Sequence, residues 1–207
     1  MARIVWDDPA ERYYETGISQ AVLFLRNEDG TYETGVPWNG LTSVSENYDS
    51  IEPINVYYSS DEDLDIYDNR GFSITLQAYT YPDEFESCIG FEFAEGTSVF
   101  IGQQNKMHFG LCYRTQMNDT YKLHILYDCA VEPIERQSET IGSEVNPELF
   151  SWDIKVYPQN LDNYDPVPVV VLDPRKGSID TAESCLYGTS SSDSYLPSIT
   201  ELISLFS

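Results

Sequence analysis

Gly71-Phe72-Ser73-Ile74-Thr75-Leu76-Gln77-Ala78 decides the class of fold. From Phe72 to Ala78 apolar and polar residues alternate strictly, the period of a strand with one buried and one wet face. Downstream, Pro82 suits a first helical position. Asp83, Glu84 and Glu86 complement the positive end of a helix dipole, Phe85, Cys88 and Ile89 share a face, and Gly90 ends the turn. A short apolar segment, Phe91 to Phe93, and a connection from Gly96 to Lys106 lead to two longer alternating runs. Met107, Phe109, Leu111 and Tyr113 share one face of the first; Tyr121, Leu123, Ile125 and Tyr127 share one face of the second. Met117-Asn118-Asp119-Thr120 between them suits a hairpin. The residues from Gly71 to Tyr127 thus predict a mainly β domain with one short helix laid against its sheet.

Outside this unit the chain reads in order as follows. Residues 1–17, Trp6 among them, form an extended arm of polar, charged and aromatic residues ending at Gly17. Ile18 to Leu25 is a buried strand, and Asn27-Glu28-Asp29-Gly30 a tight turn into Tyr32. Val36 to Leu41 mixes a turn with an exposed-looking Trp38, and Thr42-Ser43-Val44 begins another strand. Val131 to Pro147 is a polar connection. Phe150 to Val156 alternates again and stops at Pro158, and the β-branched run Val167 to Leu172, beside Pro166 and Pro168, points to a sheet edge. A first domain over 1–172 is followed by an extension over 173–207. Its Gly177, Gly188 and Thr189-Ser190-Ser191-Ser192 predict a flexible reach over the surface. Ile199, Leu202, Ile203 and Phe206 then fall at i, i+3, i+4 and i+7, an amphipathic helix able to dock on its own domain or on a neighbour.

The chain has 207 residues, 35 acidic against 11 basic, and a formal charge of −24. That balance argues against direct DNA binding through phosphate neutralisation. Its 41% hydrophobic content, 16 Tyr and 9 Phe argue against a disordered acidic chain, because aromatics at this density need a core or an interface. The start has no apolar stretch of signal-peptide length and no segment approaches a membrane span, so the expected site of residence is the cytosol. Cys88, Cys112, Cys129 and Cys185 lack C-x-x-C spacing and are expected to be free, mostly buried thiols.

Residues 46–70 differ in kind. Eight acidic residues (Glu46, Asp49, Glu52, Asp61, Glu62, Asp63, Asp65 and Asp68) face a single base, Arg70, and are interrupted by Ile54, Val56, Tyr57, Tyr58, Ile66 and Tyr67. Either this is a solvated flap or a segment that packs on another subunit, and the interspersed aromatics favour packing. The assembly candidates are therefore Glu46, Tyr48, Asp49, Ile54, Tyr57, Tyr58, Asp61, Asp65, Tyr67 and Arg70, with Trp6 in the arm and Ile199, Leu202, Ile203 and Phe206 at the other end.

Chemistry is sparse. His108 and His124 both fall on the polar faces of the hairpin strands and read as surface histidines, and no Cys or carboxylate completes a metal site with them at recognisable spacing. The run from Asp61 fails as a calcium loop, with Ile66 at the position needing Gly and Phe72 at the position needing Glu. No phosphate-cradling Gly loop or nucleophile elbow occurs. No catalytic residue, metal or cofactor is expected.

Several segments, in order, resemble those of the major tail tube proteins of long, non-contractile-tailed bacteriophages: Thr16 to Ser19, Gly35 to Val44, Ala78 to Phe85, Ile101 to Gln104, Phe109 to Thr115, Tyr121 to His124 and Phe150 to Trp152. Leu196 to Phe206 resembles that family's tail end. The resemblance implies a β-sandwich with one flanking helix, hexameric rings stacked into a hollow tube, residues 46–70 as the stacking loop, and arm and tail as further contacts between subunits. It also implies a virion protein assembled in the host cytoplasm, whose partners are copies of itself together with tape measure, tail terminator and distal tail proteins. DNA would pass through an electronegative lumen without specific binding. Two other readings remain open: a carbohydrate-binding β-sandwich stacking sugars on Trp38 and Tyr79, and a glycosidase using a pair of its many carboxylates.

Overall fold

The computed structural model describes residues 14–48, 72–133 and 147–206, and the backbone of 54–56 and 64–66. The protein is mainly β. In chain order the strands are β1 (Glu15–Leu25), β2 (Val36–Trp38), β3 (Leu41–Tyr48), β4 (Ile54–Val56), β5 (Leu64–Ile66), β6 (Phe72–Ala78), β7 (Glu92–Phe93), β8 (Phe100–Ile101), β9 (Phe109–Met117), β10 (Thr120–Val131), β11 (Phe150–Val156) and β12 (Val169–Leu172). The helices are α1 (Phe85–Cys88), α2 (Asp180–Tyr187) and α3 (Ile199–Leu205). One antiparallel sheet runs β2-β1-β9-β10-β11-β6-β3. β10 is shared lengthwise: Leu123 to Leu126 pair with β12, and Cys129 to Val131 pair with β11. β4 with β5 and β7 with β8 form two separate small hairpins.

The alternation of β6 is realised as read: Phe72, Ile74, Leu76 and Ala78 are buried and the residues between them are partly exposed. β11 has the predicted bounds and the same alternation. Between β9 and β10 the turn is Asn118-Asp119, with Met117 opposite Thr120 and Asn118 at φ 34°, on the left-handed side that tight hairpins need and asparagine tolerates. The helix expected from Pro82 starts later. Pro82 caps a turn by accepting from Phe85 N, and the α-helical residues are Phe85–Cys88, ending before Gly90 at φ 90°.

The sheet curls, so its inner face closes on one core. Leu23 of β1, Phe109 and Leu111 of β9, Leu126 of β10, Trp152 and Ile154 of β11, and Ile74 and Leu76 of β6 all meet there. Phe85 of α1 stoppers one end, its ring 4.7 Å from Trp38 and 5.1 Å from Trp152. Trp38 is not the exposed platform its sequence context suggested. It is 2% exposed, and its Nε1 donates to Thr80 O at 2.8 Å. Of the three register shifts on the strands flanking β9, two carry a positive φ and let the sheet bend. Gln20 in β1 (φ 50°) and Asp128 in β10 (φ 49°) each add a residue, so Ile18 and Ala21, and likewise Leu126 and Cys129, face inward although their numbers differ in parity.

The hairpin faces were expected to be apolar on one side only; both sides are buried. Phe109, Leu111 and Tyr113 point inward, whereas Leu123, Ile125 and Tyr127 point outward with Cys112, Val22 and Phe24. What covers that outer face is the segment expected to be flexible. α2 buries Ala182 and Leu186 against it, and α3 buries Ile199 and Leu202. Ser198 caps α3 by accepting from Glu201 N, the Ser-x-x-Glu spacing of a helix start. Tyr127 Oη donates to Pro197 O at 2.9 Å. The tail is a structural layer, because an uncovered apolar sheet face of this size would be unstable in water. Two further boundaries shift. β1 begins at Glu15, inside the predicted arm, and β3 extends to Tyr48, inside the predicted loop.

Truncating the docked side of α3 therefore differs from truncating its outer side. Leu202→Ala, at a position 1% exposed, is expected to cost about 2–5 kcal/mol. Ile203→Ala, at 47% exposure, is expected to stay within about 0.5 kcal/mol. Urea unfolding of both variants checks the pair, and equal midpoints would show that the helix is not docked this way.

Candidate functional site

Where β3 meets the inner face of β9 and β10, a partly buried carboxylate sits at the margin of the inner core. Glu46 Oε1 accepts from Tyr113 Oη at 2.6 Å and lies 3.2 Å from His124 Nδ1, while Oε2 accepts from Tyr48 Oη at 2.7 Å. His124 Nε2 is hydrogen-bonded to Thr115 Oγ1, and its ring stacks on Tyr113 with centroids 4.8 Å apart. Side-chain exposure is 12% for His124 and 19% for Glu46. His124 is thus not a histidine on a polar outer face. The inward parity of Tyr113 puts its cross-strand partner His124 inside as well.

The hydrogen bond to His124 is the main influence on Glu46. Against the opposing effect of burial, and with Tyr113 and Tyr48 adding to it, that bond holds the carboxyl down to about 2. Burial first, and then the hydrogen bond each gives to Glu46, pushes the Tyr48 phenol up to about 12 and the Tyr113 phenol upward too. In connectivity, Glu46-His124-Thr115 matches an acid-histidine-hydroxyl relay. Its setting is that of a strut: both imidazole nitrogens are engaged, one ring face is covered by Tyr113, and the carboxylate is shared by three donors. It ties the edge strand to the centre of the sheet.

His108, just ahead of β9, holds Asp128 at the β10 bulge through Nδ1, and its ring stacks on Tyr157. Arg114 bonds Glu183 of α2 and lies over two rings, 4.2 Å from the Tyr121 centroid and 4.9 Å from that of Tyr187; Tyr121 Oη donates to the same Glu183 oxygen. This clamp fixes α2 to the hairpin. Arg114, Glu183 and the inward-facing His124 escaped the sequence reading, since each acquires its partner only through distant pairing.

The assembly candidates are distributed as follows. Glu46 and Tyr48 belong to β3, with Tyr48 69% exposed and its ring against Phe72. Ile54 lies in β4 and Asp65 in β5, opposite Ile66 and Asn55 respectively. Trp6, Asp49, Tyr57, Tyr58, Asp61, Tyr67 and Arg70 lie outside the described residues. Of the C-terminal four, Ile199 and Leu202 are consumed in docking on the chain's own sheet, whereas Ile203 and Phe206 stay about half exposed. Among the described candidates the structure joins Glu46 to Tyr48 by a hydrogen bond and packs Ile199 with Leu202 in one cluster. A further apolar surface was not singled out: in the β7–β8 hairpin Phe93, Val99, Phe100 and Ile101 are each about half exposed, with the two Phe rings 5.2 Å apart.

Among the described residues no group of three or more His, Cys, Asp or Glu could hold a metal ion, and no helix is long and apolar enough to cross a membrane. Cys88, Cys112 and Cys129 are buried free thiols. A cleft of about 460 Å³ opens between the Arg26 to Tyr32 turn, Gln159-Asn160 and the residues leading into α3. Neither a protein-family model nor a curated protein matches the chain.

Because folding lowers the Glu46 carboxyl from 4.5 to about 2, the unfolded chain takes up this proton first as pH falls. The contribution is complete above the ordinary carboxylate value and drains away as pH falls toward 2. Glu46→Gln should lower stability near neutrality by about 1–3 kcal/mol and flatten stability against pH over that acidic window. Equal slopes for variant and parent in urea titrations at graded pH would contradict the strut.

Proposed function

We propose that this chain is a structural subunit of a phage tail tube, associating with copies of itself into hexameric rings that stack around a passage for DNA. The observation that carries the reading is the ordered set of segments, from Thr16 to Trp152, that resembles the major tail tube family. Physical features agree with it. Among the described residues β2 and β3 end the sheet and β12 pairs on one side only, which leaves backbone donors and acceptors suited to strands of other copies. Apolar side chains that the monomer leaves outside, those of the β7–β8 hairpin and Ile203 with Phe206, are suited to contacts between subunits. A charge of −24 placed toward the lumen would repel phosphates and leave a hydrated wall along which DNA slides.

The sugar-binding reading loses one of its two platforms, because Trp38 is buried in the core, and the Glu46 cluster uses its carboxylate to hold strands together. Of those two platforms Tyr79 keeps an exposed ring, at 49%.

Residues beyond Tyr48 are the proposed contact between rings. A deletion starting at Glu46 would also remove the strut, so the cleaner variant replaces 49–71 with Asn-Gly. Tyr48 and Phe72 face each other across the ladder, which suits a two-residue turn. Negative-stain microscopy should show rings and tubes for the parent and a folded, tube-free protein for the variant. Tubes from the variant would refute the assigned role of that segment, and a parent that stays monomeric at every concentration would refute the function.

A further inference from the structure

In a chain this acidic, cations are scarce, and most of those in the described residues are spent internally. Arg114 is held by Glu183, Lys122 by Glu15 and Arg175 by Asp173, while Lys106 donates to the carbonyls of Val131 and Glu132. Arg26 differs. Its nearest carboxylate, Asp128, is 3.8 Å from Nε and is already taken by His108. The neighbouring Asp29 carboxylate accepts from Thr31 N and Thr31 Oγ1 instead. Among the described residues the Arg26 guanidinium makes no hydrogen bond, although a planar fork of five N–H donors is available. It lines the cleft of about 460 Å³, with the Asn160 amide, which is likewise without a hydrogen-bond partner, and with a wall formed by Tyr32, Tyr195 and Leu196.

We propose that this cleft is a carboxylate-binding site: Arg26 grips a single carboxylate through two parallel N–H···O bonds, Asn160 donates to the same group, and a ring or short apolar body lies against Tyr195 and Leu196. The guanidinium fork matches carboxylate geometry. A monoanion is selected over a dianion because the surrounding field of the chain is strongly negative and only one guanidinium offsets it. The apolar wall selects a carboxylate with a body over acetate. Two sources carry this chemistry: a free aryl or alkyl acid, or an acidic side chain with its neighbouring aromatic on a second copy of this chain. The site stands on the cleft alone and does not depend on the tube assignment.

Isotope-labelled full-length protein titrated with 4-hydroxyphenylacetate should show saturable amide shifts at Thr31, Asn160 and Tyr195, and the uncharged 4-hydroxyphenylacetamide should leave them unmoved. Arg26→Gln, with the parent's circular dichroism and thermal midpoint, should bind the acid about tenfold or more weakly, and Asn160→Ala should bind more weakly with Arg26 in place. Sedimentation of parent and Arg26→Gln then separates the sources. Self-association lost in the variant and competed by the acid identifies a second copy; association unchanged while probe binding is lost identifies a free acid. Acid and amide binding alike, no saturable shift, or an Arg26→Gln protein that binds the acid as the parent does would each overturn the site, whatever becomes of the tube.

Discussion

The β9–β10 hairpin is apolar on both faces, and the rest of the fold answers to that constraint. A sheet strand with two greasy faces cannot rest against solvent on either side. The inner face is covered by the sheet itself, which curls until β3 lies over β9 and β10, and the outer face is covered by the chain after Leu172. The curl needs the bulges at Gln20 and Asp128. It also needs a bond across the opening, which Glu46 supplies through Tyr113 and His124. The outer cover needs a clamp, which Arg114 provides by holding Glu183 between tyrosine rings. Polar groups thus enter near the two apolar cores at places where one layer must be fixed to the next.

This arrangement separates what a single copy requires from what it leaves over. Ile199 and Leu202 satisfy the monomer, whereas Ile203 on the same short helix and Phe206 at its C-cap lie outside that core. Among the described residues the strands β2, β3 and β12 likewise pair on one side and leave the other side open. In a solitary protein such remainders invite aggregation; in a self-assembling subunit they are where the next copy attaches. The charge of −24 opposes indiscriminate association and favours contacts of defined geometry.

Much of the architecture was legible because strands with one wet face write their period into the sequence. β6, β11 and the Asn118-Asp119 turn are of this kind, and their boundaries follow from alternation and punctuation. Less legible was anything buried on both sides. In Phe109 to Tyr113 the alternating reading leaves Gly110 and Cys112 to pass for a wet face, so the outer face of the hairpin and the need for a cover were hidden. α2 carries its two buried residues among Asp, Thr, Ser and Glu, which masks them as a polar tail. The bulges sit at Gln and Asp, with no glycine to announce a positive φ. The strut at Glu46 was beyond reach because its partners Tyr113 and His124 lie 67 and 78 positions away. Of the candidate site residues, Glu46 stands out in sequence through an acidic run, whereas its contacts are those to Tyr113 and His124 beside the core.

On the proposed assembly, the fold closes in one copy while its sheet edges are completed by others. Amide hydrogen exchange on the protein alone and after assembly separates these two parts. The β9 and β10 amides should be equally protected in both states, while outward-facing amides of the edge strands should gain protection of about tenfold or more on assembly. Edge amides that exchange at the same rate in both states, or β9–β10 amides that become protected only after assembly, would contradict it.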